Sequence, residues 1–322
     1  MESQPEIIVA YTHNVSSGGV RVHRLPRPGE TVRAIGINAG IDCGKGTNVA
    51  VAASRIGANV ALVANVAGGE WYTHGQAILR QEGIDDRFVT CRPGAHKVPG
   101  CMLIDDEGNN MIILSDEEAQ FIPERQIEEA LGTFKSAKYC ITGYELAEDS
   151  VRIILDTARR YGVKVVLNPS PVPSQKPDFW RDVDILILNE VEAAYMLELA
   201  CAKTEGDWLF KAQALQRTYG CRQIVITLGA DGVFSLDASG SAAHRNGYIV
   251  DATDTTGAGD GFLGAMTARL VAGDTLGEAC QWANIFASHS VQKSGTVSSY
   301  PARKEIAQLF ADTVRKNSTS PA

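Results

Sequence analysis

The sequence lacks the features that mark several large protein classes. No apolar run is long enough to span a bilayer, and the N-terminus, MESQPEIIVAY, lacks the basic, apolar and small-residue order of a signal peptide. Basic charge is in the minority, since 30 Lys and Arg face 38 Asp and Glu, which argues against non-specific binding of nucleic acid. These absences, with a hydrophobic content of 44%, predict a soluble globular protein of the cytoplasm.

Clustered cysteines are missing as well. The seven cysteines stand at positions 43, 91, 101, 140, 201, 221 and 280, and no two of them have CxxC spacing. A zinc site needs closely spaced thiolates or imidazoles, so none is predicted and the thiols are expected to be reduced and buried. The 322 residues allow one large domain or two modest ones.

Short apolar runs alternate with longer helical stretches through most of the chain. We predict strands at 7–11, 61–66, 138–142, 164–168, 185–188 and 223–228. We predict helices at 46–56, 149–161 and 208–219. Strands covered by helices on both faces are apolar throughout, so this order predicts a doubly wound, mainly parallel α/β sheet.

Two segments depart from that order. Residues 18–38 and 97–115 alternate between apolar and polar positions, as half-exposed strands do. The stretch CMLIDDEGNNMIILS at 101–115 has the pattern of a hairpin, with a polar turn between two apolar runs. These inserts predict a small, one-sided sheet that covers a site or pairs with another chain.

The motif DTTGAGDGF at 254–262 carries the clearest chemical signal. It lies between a stretch predicted as a strand, 247–252, and a helix predicted to end near Gly273. Gly257 and Gly259 let the backbone approach a ligand, and successive amides at a helix N-terminus bind anions such as a phosphoryl group. Asp260 beside that anion site would take a proton from a hydroxyl nucleophile. Taken alone, the motif is equally compatible with a glycine-rich turn capped by Asp260.

A second glycine-rich segment, GINAGIDCGKGTNVAVAASRIGA, covers residues 36–58. It is not a Walker A loop, because glycine follows Lys45 where Ser or Thr is required. Lys45 and Asn48 offer hydrogen-bond donors, which suit a polyol.

The two segments together resemble the signature regions of the ribokinase-like sugar kinases, the PfkB family. Further stretches fit in order: PGETV at 28–32, NPSPVP at 168–173, NEVEA at 189–193, TLGADG at 227–232 and SGTVSSYP at 294–301. The resemblance implies a ribokinase-like doubly wound, mainly parallel sheet flanked by helices, with a small β-sheet lid. It implies a large domain of residues 1–14, 41–95 and 116–322, and a lid of residues 15–40 and 96–115.

The resemblance also implies roles for individual residues. Asp260 corresponds to the catalytic base, and Glu192 to the residue that holds Mg²⁺ through water. The anion hole would consist of the amides of Gly257, Ala258 and Gly259. ATP would be bound by Asn189, Thr227, Gly229, Gly232, Gly259 and Asn284. The sugar would be bound by His13, Asn14, Gly44, Lys45, Asn48, Glu145 and Asp260. A K⁺ ion would be held by Asp254, Thr256, Ser290, Lys293, Gly295 and Ser299.

The sugar side departs from ribokinase itself. That enzyme has an Asn-x-Asp pair after its first strand, where this chain has His13 and Asn14 with no acid nearby. Cys43 replaces a glycine before the lysine motif, and Asp116 and Glu117 follow the lid strand. These departures predict that ribose is not the best substrate.

The activity implied by the resemblance is ATP-dependent transfer of a phosphoryl group to a primary hydroxyl of a small sugar. The enzyme would be a homodimer formed through the lid. A nucleoside kinase of the same fold is the alternative, but Tyr11 is the nearest aromatic residue that could hold a base. A non-catalytic sugar sensor would have no need of Asp260.

Overall fold

A nine-stranded sheet forms the centre of the computed structural model, which describes residues 4–13, 16–17, 19–37, 41–42, 44–67, 70–92, 101–113, 121–181, 183–199 and 208–319. In chain order, the strands are β1 (Ile7–Ala10), β2 (Ser16–Ser17), β3 (Val20–Arg21), β4 (Gly36–Ile37), β5 (Ile41–Asp42), β6 (Val60–Ala67), β7 (Asp85–Arg92), β8 (Cys101–Ile104), β9 (Asn110–Ile113), β10 (Tyr139–Gly143), β11 (Lys164–Asn168), β12 (Ile185–Asn189), β13 (Gln223–Thr227), β14 (Val233–Leu236) and β15 (Ala242–Arg245). The helices are α1 (Lys45–Ile56), α2 (Glu70–Gln81), α3 (Glu124–Thr133), α4 (Glu148–Tyr161), α5 (Glu190–Met196), α6 (Trp208–Tyr219), α7 (Ala258–Ala272), α8 (Leu276–Ser290) and α9 (Arg303–Thr319).

The order of strands in the central sheet is β15-β14-β13-β12-β11-β10-β1-β6-β7. The strands from β13 to β7 run parallel, and β14 and β15 add an antiparallel edge. The predicted doubly wound, mainly parallel sheet is therefore confirmed. The carboxyl ends of the parallel strands meet at one edge of the sheet, which is where such sheets bind ligands.

Helices cover both faces of this sheet, as its apolar strands require. In β1, Ile7 and Val9 pack against one layer, formed by α1, α2, α7, α8 and α9. Ile8 and Ala10 pack against the other layer, formed by α3, α4, α5 and α6. The two-sided burial explains why the strands show no polar alternation in the sequence.

Helices α1 and α7 pack closely because small residues line their contact. A Cβ atom at Gly264 would lie only 2.3 Å from the carbonyl oxygen of Val49. No side chain therefore fits at Gly264 without moving the helices apart. This packing fixes the distance between the N-terminal turns of the two helices, where Lys45 and Asp260 lie.

The two predicted inserts come together in a second, small sheet with the order β4-β3-β8-β9. β3 runs parallel to β8, and β8 and β9 form the predicted hairpin. Its turn contacts the main domain, where the Thr255 hydroxyl donates to the Gly108 carbonyl at 2.9 Å. Apolar side chains on this sheet are exposed, with Ile37 at 74% and Ile113 at 62%.

The sequence prediction was wrong at 247–252, where the structure has no strand. Strand β15 ends the sheet, and the chain then runs across the turn that follows β13, with Gly247 against the carbonyl of Ala230. Apolar residues there, such as the fully exposed Ile249, have no neighbouring strand to pair with.

In the part of the chain that the structure describes, no helix is long and apolar enough to cross a membrane.

Candidate active site

A pocket of about 110 Å³ opens at the carboxyl edge of the central sheet. The residues that line it come from three strands, three helices and one loop, and six of them are predicted site residues. The lining residues are Lys45, Asn168, Ser170, Ile187, Leu188, Asn189, Glu192, Thr227, Gly259, Asp260 and Leu263.

Asp260 is held by the N-terminal turn of α1. Its Oδ2 accepts a hydrogen bond of 2.9 Å from the Asn48 side-chain amide, and its Oδ1 lies 3.7 Å from the Lys45 ammonium. The side chains of Lys45 and Asp260 are each 16% exposed. A carboxylate that is fixed, partly shielded and open to a pocket is suited to accept a proton from a bound hydroxyl.

Opposing effects act on the ionisation of this pair. Burial raises the pKa of Asp260 above its ordinary value, against the opposing effect of Lys45 and of the Asn48 hydrogen bond. Burial would lower the pKa of Lys45, but the nearby carboxylates of Asp260, Glu145 and Glu192 more than offset it, so that pKa is raised. Lys45 is therefore a stable cation beside a carboxylate whose charge depends on it.

The glycine turn before α7 places a left-handed residue directly before the helix. Gly257 has φ of +74°, in the left-handed region, and its carbonyl accepts 2.6 Å from the Tyr300 hydroxyl. The amide of Ala258 donates to the Thr255 carbonyl at 3.2 Å. The first turn of α7 then presents the amides of an α-helix N-terminus to the pocket at Gly259.

The predicted sugar residues at the end of β1 face those of α1 and β10. The Thr12 hydroxyl donates to Glu145 Oε2 at 2.5 Å, and His13 Nδ1 lies 2.6 Å from the Thr47 hydroxyl. Gly44 stands directly before α1, with φ of +76°. The predicted Asn14, and Cys43, lie outside the described residues.

His13 is a buried, neutral imidazole. Its side chain is 2% exposed, and burial lowers its pKa to about 4. Among the described residues, its Nε2 atom has no hydrogen-bond partner. Since an unpaired buried polar atom is costly, this nitrogen is suited to a polar ligand group.

On the nucleotide side, Asn189 and Glu192 form a capping box at the start of α5. The Asn189 side chain accepts from the Glu192 amide, and the Glu192 carboxylate accepts from the Asn189 amide, both at 2.8 Å. Thr227 pairs with Asn189 in the neighbouring strand, so all three residues share the pocket wall.

Three other predicted nucleotide residues lie outside the pocket lining. Gly229 and Gly232 frame the short turn after β13, and Asn284 on α8 donates to the Asn246 carbonyl at 2.8 Å. These three residues therefore lie near the segment that connects β15 to the glycine turn.

Of the residues predicted for a cation, Asp254, Thr256 and Gly295 are linked by hydrogen bonds, and Ser290 is the last residue of α8. The buried carboxylate of Asp254 accepts from the amides of Thr256 and Gly295 at 3.0 and 2.9 Å. The Asp254 amide donates to the Val291 carbonyl, and the Ser299 hydroxyl donates to the Thr296 carbonyl within its own turn. The Lys293 ammonium lies away from this carboxylate, 3.4 Å from His289. The donor set of carboxylate, hydroxyl and carbonyl oxygens fits K⁺.

Three further polar residues at this edge, Asn168, Ser170 and Thr12, belong to none of the predicted roles. Asn168 Oδ1 accepts from the Lys45 ammonium at 3.3 Å, and Ser170 lines the pocket. Their position was a usable signal, because polar residues at the carboxyl ends of the apolar strands β1 and β11 must lie at the ligand-binding edge.

Comparisons with known proteins place these features in context. The pfkB family of carbohydrate kinases matches residues 28–303. The ribokinase of Mus musculus is 33% identical over 289 residues, with 88% of each chain covered. The ribokinase of Haemophilus influenzae is 29% identical over 291 residues, which cover 90% of this chain and 94% of the relative. A solved Giardia lamblia ribokinase superposes with a TM-score of 0.82 at 20% identity, covering 96% and 99%. Arabidopsis thaliana ribokinase complexed with ribose and ATP gives 0.75 at 22% identity, covering 96% and 99%.

Proposed function

Because the chain belongs to the pfkB family and is an ATP-dependent carbohydrate kinase, a transferase, we propose that Asp260 is the general base of its phosphoryl transfer. The observation that carries this proposal is the contact of Asp260 with both Asn48 and Lys45 at the pocket. Asp260 is also the third residue of α7, next to the helix N-terminus.

In the proposed reaction, Asp260 accepts the proton of a primary sugar hydroxyl. The sugar oxygen forms a bond to the γ-phosphorus of ATP, and the bond from that phosphorus to the β–γ bridging oxygen breaks, which releases ADP. The amides of Gly257, Ala258 and Gly259 stabilise the charge of the transferred group. Lys45 contributes positive charge on the same side, and Asp260 later returns its proton to solvent.

On the nucleotide side, we assign phosphate contacts to Asn189 and the neighbouring strand end to Thr227. Gly229, Gly232 and Asn284 would contact the rest of the nucleotide. Glu192 would hold the water shell of Mg²⁺, which neutralises phosphate charge when bound. The Asp254 cluster, described above, would hold K⁺ close to the glycine turn through its oxygen donors.

On the sugar side, His13, Gly44, Lys45, Asn48 and Glu145 would grip the hydroxyl groups. The curated relatives include ribokinases and, at 25% identity, a deoxyribokinase of Salmonella typhi. The neutral His13 with its buried Nε2 replaces an amide in the ribokinase pattern, which supports a sugar other than ribose. The nucleoside alternative is not favoured by these relatives.

The small sheet, with residues 15–40 and 96–115, would act as a lid that excludes water from the transfer. Its exposed face, which includes Ile37 and Ile113, would form the homodimer contact, because such an apolar surface is costly in water. The cytoplasmic location stays a prediction.

The substitution Asp260→Asn tests the base. It keeps the size of the side chain, so folding and the affinity for ATP should change little. We expect kcat to fall about 10²–10⁴-fold while KM changes much less. Asp237→Asn, in the exposed β14–β15 turn, is the matched control and should keep kcat. A folded Asp260→Asn enzyme with near-normal kcat would disprove the assignment.

A further inference from the structure

Asn168 lies between Lys45 and the neighbouring strand β12. Its Oδ1 accepts from the Lys45 ammonium at 3.3 Å, and its Nδ2 donates to the Ile187 carbonyl at 3.0 Å. A backbone carbonyl accepts only from the NH₂ end of an amide, so this contact fixes which end faces β12. The oxygen end therefore points at Lys45.

The backbone of Asn168 is fixed as well. It is the last residue of β11 and pairs in register with Gly143 of β10. Its carbonyl also accepts from the buried Tyr11 hydroxyl at 3.5 Å. The acceptor that faces Lys45 thus stands on a rigid strand end, while Lys45 itself is a long side chain with many rotamers.

The chemistry of the acceptor matters for Asp260. An amide oxygen holds an ammonium group without cancelling its charge, whereas a second carboxylate would share that charge. Asn168 therefore adds no further carboxylate to Lys45, whose ammonium lies 3.7 Å from Asp260 Oδ1.

We propose that Asn168 is a positioning residue, which holds the Lys45 ammonium beside Asp260 so that the base is ionised when the sugar binds. The proposal rests on the role of Asp260 given above. Asn168 acts through Lys45 and needs no contact with the reacting atoms.

The groups around Lys45 and Asp260 set the direction of the effect. Lys45 is faced by the carboxylates of Asp260, Glu145 and Glu192, and the hydroxyl of Tyr11 is buried close to the same three. Lys45 is the cation that acts on Asp260 in this set. Moving it away leaves the base, already raised in pKa by burial, without its main stabilising charge.

A double-mutant cycle tests whether Asn168 acts through Lys45. We would measure single-turnover phosphoryl transfer for the wild type, Asn168→Ala, Lys45→Met and the double variant. Asn168→Ala should lower the rate about 10- to 100-fold in the wild type, since a hydrogen bond to a charged group is lost. In the Lys45→Met background, the same substitution should lower it less than about threefold. Equal losses in both backgrounds would overturn the proposal.

The pH profile of kcat/KM supplies a second readout that a purely structural role would not change. The acid limb should move to higher pH in Asn168→Ala, and also in the nearly isosteric Asn168→Asp, which puts a competing carboxylate on Lys45. Asn65→Ala is the matched control, because Asn65 Nδ2 donates to the Phe121 carbonyl at 2.7 Å in the same kind of bond. It should lose stability and keep its acid limb.

An unmoved acid limb in both folded Asn168 variants would also overturn the proposal. Asp260→Asn separates this failure from that of the base assignment. If Asp260→Asn loses activity while the cycle is additive, only the role of Asn168 is wrong. If Asp260→Asn is fully active, the base assignment is wrong whatever the cycle gives.

Discussion

Arg55 of α1 and Glu82, the residue after α2, form a two-point ion pair. Arg55 Nη2 lies 2.6 Å from Glu82 Oε1, and Arg55 Nε lies 3.1 Å from Oε2. The third nitrogen, Nη1, donates to the carbonyls of Val297 and Tyr300 at 3.0 and 2.9 Å. Each side chain is 15% exposed. The loop that carries Gly295 and Ser299 is therefore anchored from the helix that carries Lys45.

We expect Arg55→Met to lower the free energy of unfolding by about 3–5 kcal/mol, because it leaves Glu82 partly buried without its cation. Urea unfolding monitored by fluorescence would measure this. Arg125→Met is the control, since Arg125 pairs with Glu129 on an exposed helix face and should be nearly neutral. Equal stability losses in the two variants would contradict the anchoring role of Arg55.

Activity should rise when K⁺ replaces Na⁺, if the Asp254 cluster holds a monovalent cation. Asp254→Asn should abolish that rise, because an amide lacks the charge that compensates a bound cation. Asn can still accept one of the two amide bonds, so the loop is expected to fold. Rates measured in matched K⁺ and Na⁺ buffers decide the question. A variant that keeps its K⁺ response would remove Asp254 from the cation site.

The stability of the enzyme should depend on His13 between pH 6.5 and 4. Its pKa is lowered by burial to about 4, against about 6.5 in the unfolded chain, so the unfolded state binds more protons in this window. Acidification therefore destabilises the fold, by about 2 kcal/mol from pH 7 to pH 5 through this residue. His13→Gln, which cannot be protonated, should lose this part of the dependence. Urea titrations at both pH values would show it, and an unchanged difference in the variant would refute it.

D-Ribose should not be the best substrate. The ribokinase pattern supplies an acid near the end of β1, and this chain has His13 and Asn14 there with no acid nearby. A missing hydrogen-bond partner costs roughly ten- to a hundredfold in kcat/KM. A panel of pentoses, deoxy sugars, hexoses and ketoses, assayed for ADP release, would rank them. If ribose has the highest kcat/KM of the panel, the prediction is wrong. His13 and its neighbours then replace the hydrogen bonds that the Asn-x-Asp pair makes in ribokinase.

Much of the fold could be predicted because its strands are buried on both faces. The run 185–188 is apolar at every position, which only a doubly covered strand explains, and it forms β12. Strand β7 was not predicted, since its sequence DDRFVTCR is largely polar and it forms one edge of the sheet. The strand predicted at 247–252 was wrong for the opposite reason. Its residues are largely apolar, but among the described residues this segment pairs with no strand.

The candidate site was less predictable, because contacts between residues far apart in the sequence leave no local pattern. The motifs singled out Lys45 and Asp260, but nothing in their spacing shows that Asn168 would bridge Lys45 to β12. The capping box of Asn189 and Glu192 was not predicted either, and it consists of two reciprocal bonds at the start of α5.

The bond between Asn48 and Asp260 joins residues 212 positions apart. A chain growing from a ribosome completes β1, α1 and most of the sheet long before α7 emerges. During that time the nascent chain contains most of the residues proposed to bind the sugar. It still lacks the proposed base and the glycine turn that phosphoryl transfer from ATP requires. The residues proposed for phosphoryl transfer are therefore the last part of the site to be synthesised. A fragment that ends before α7 would therefore not hydrolyse or transfer phosphate from ATP, even with a sugar bound.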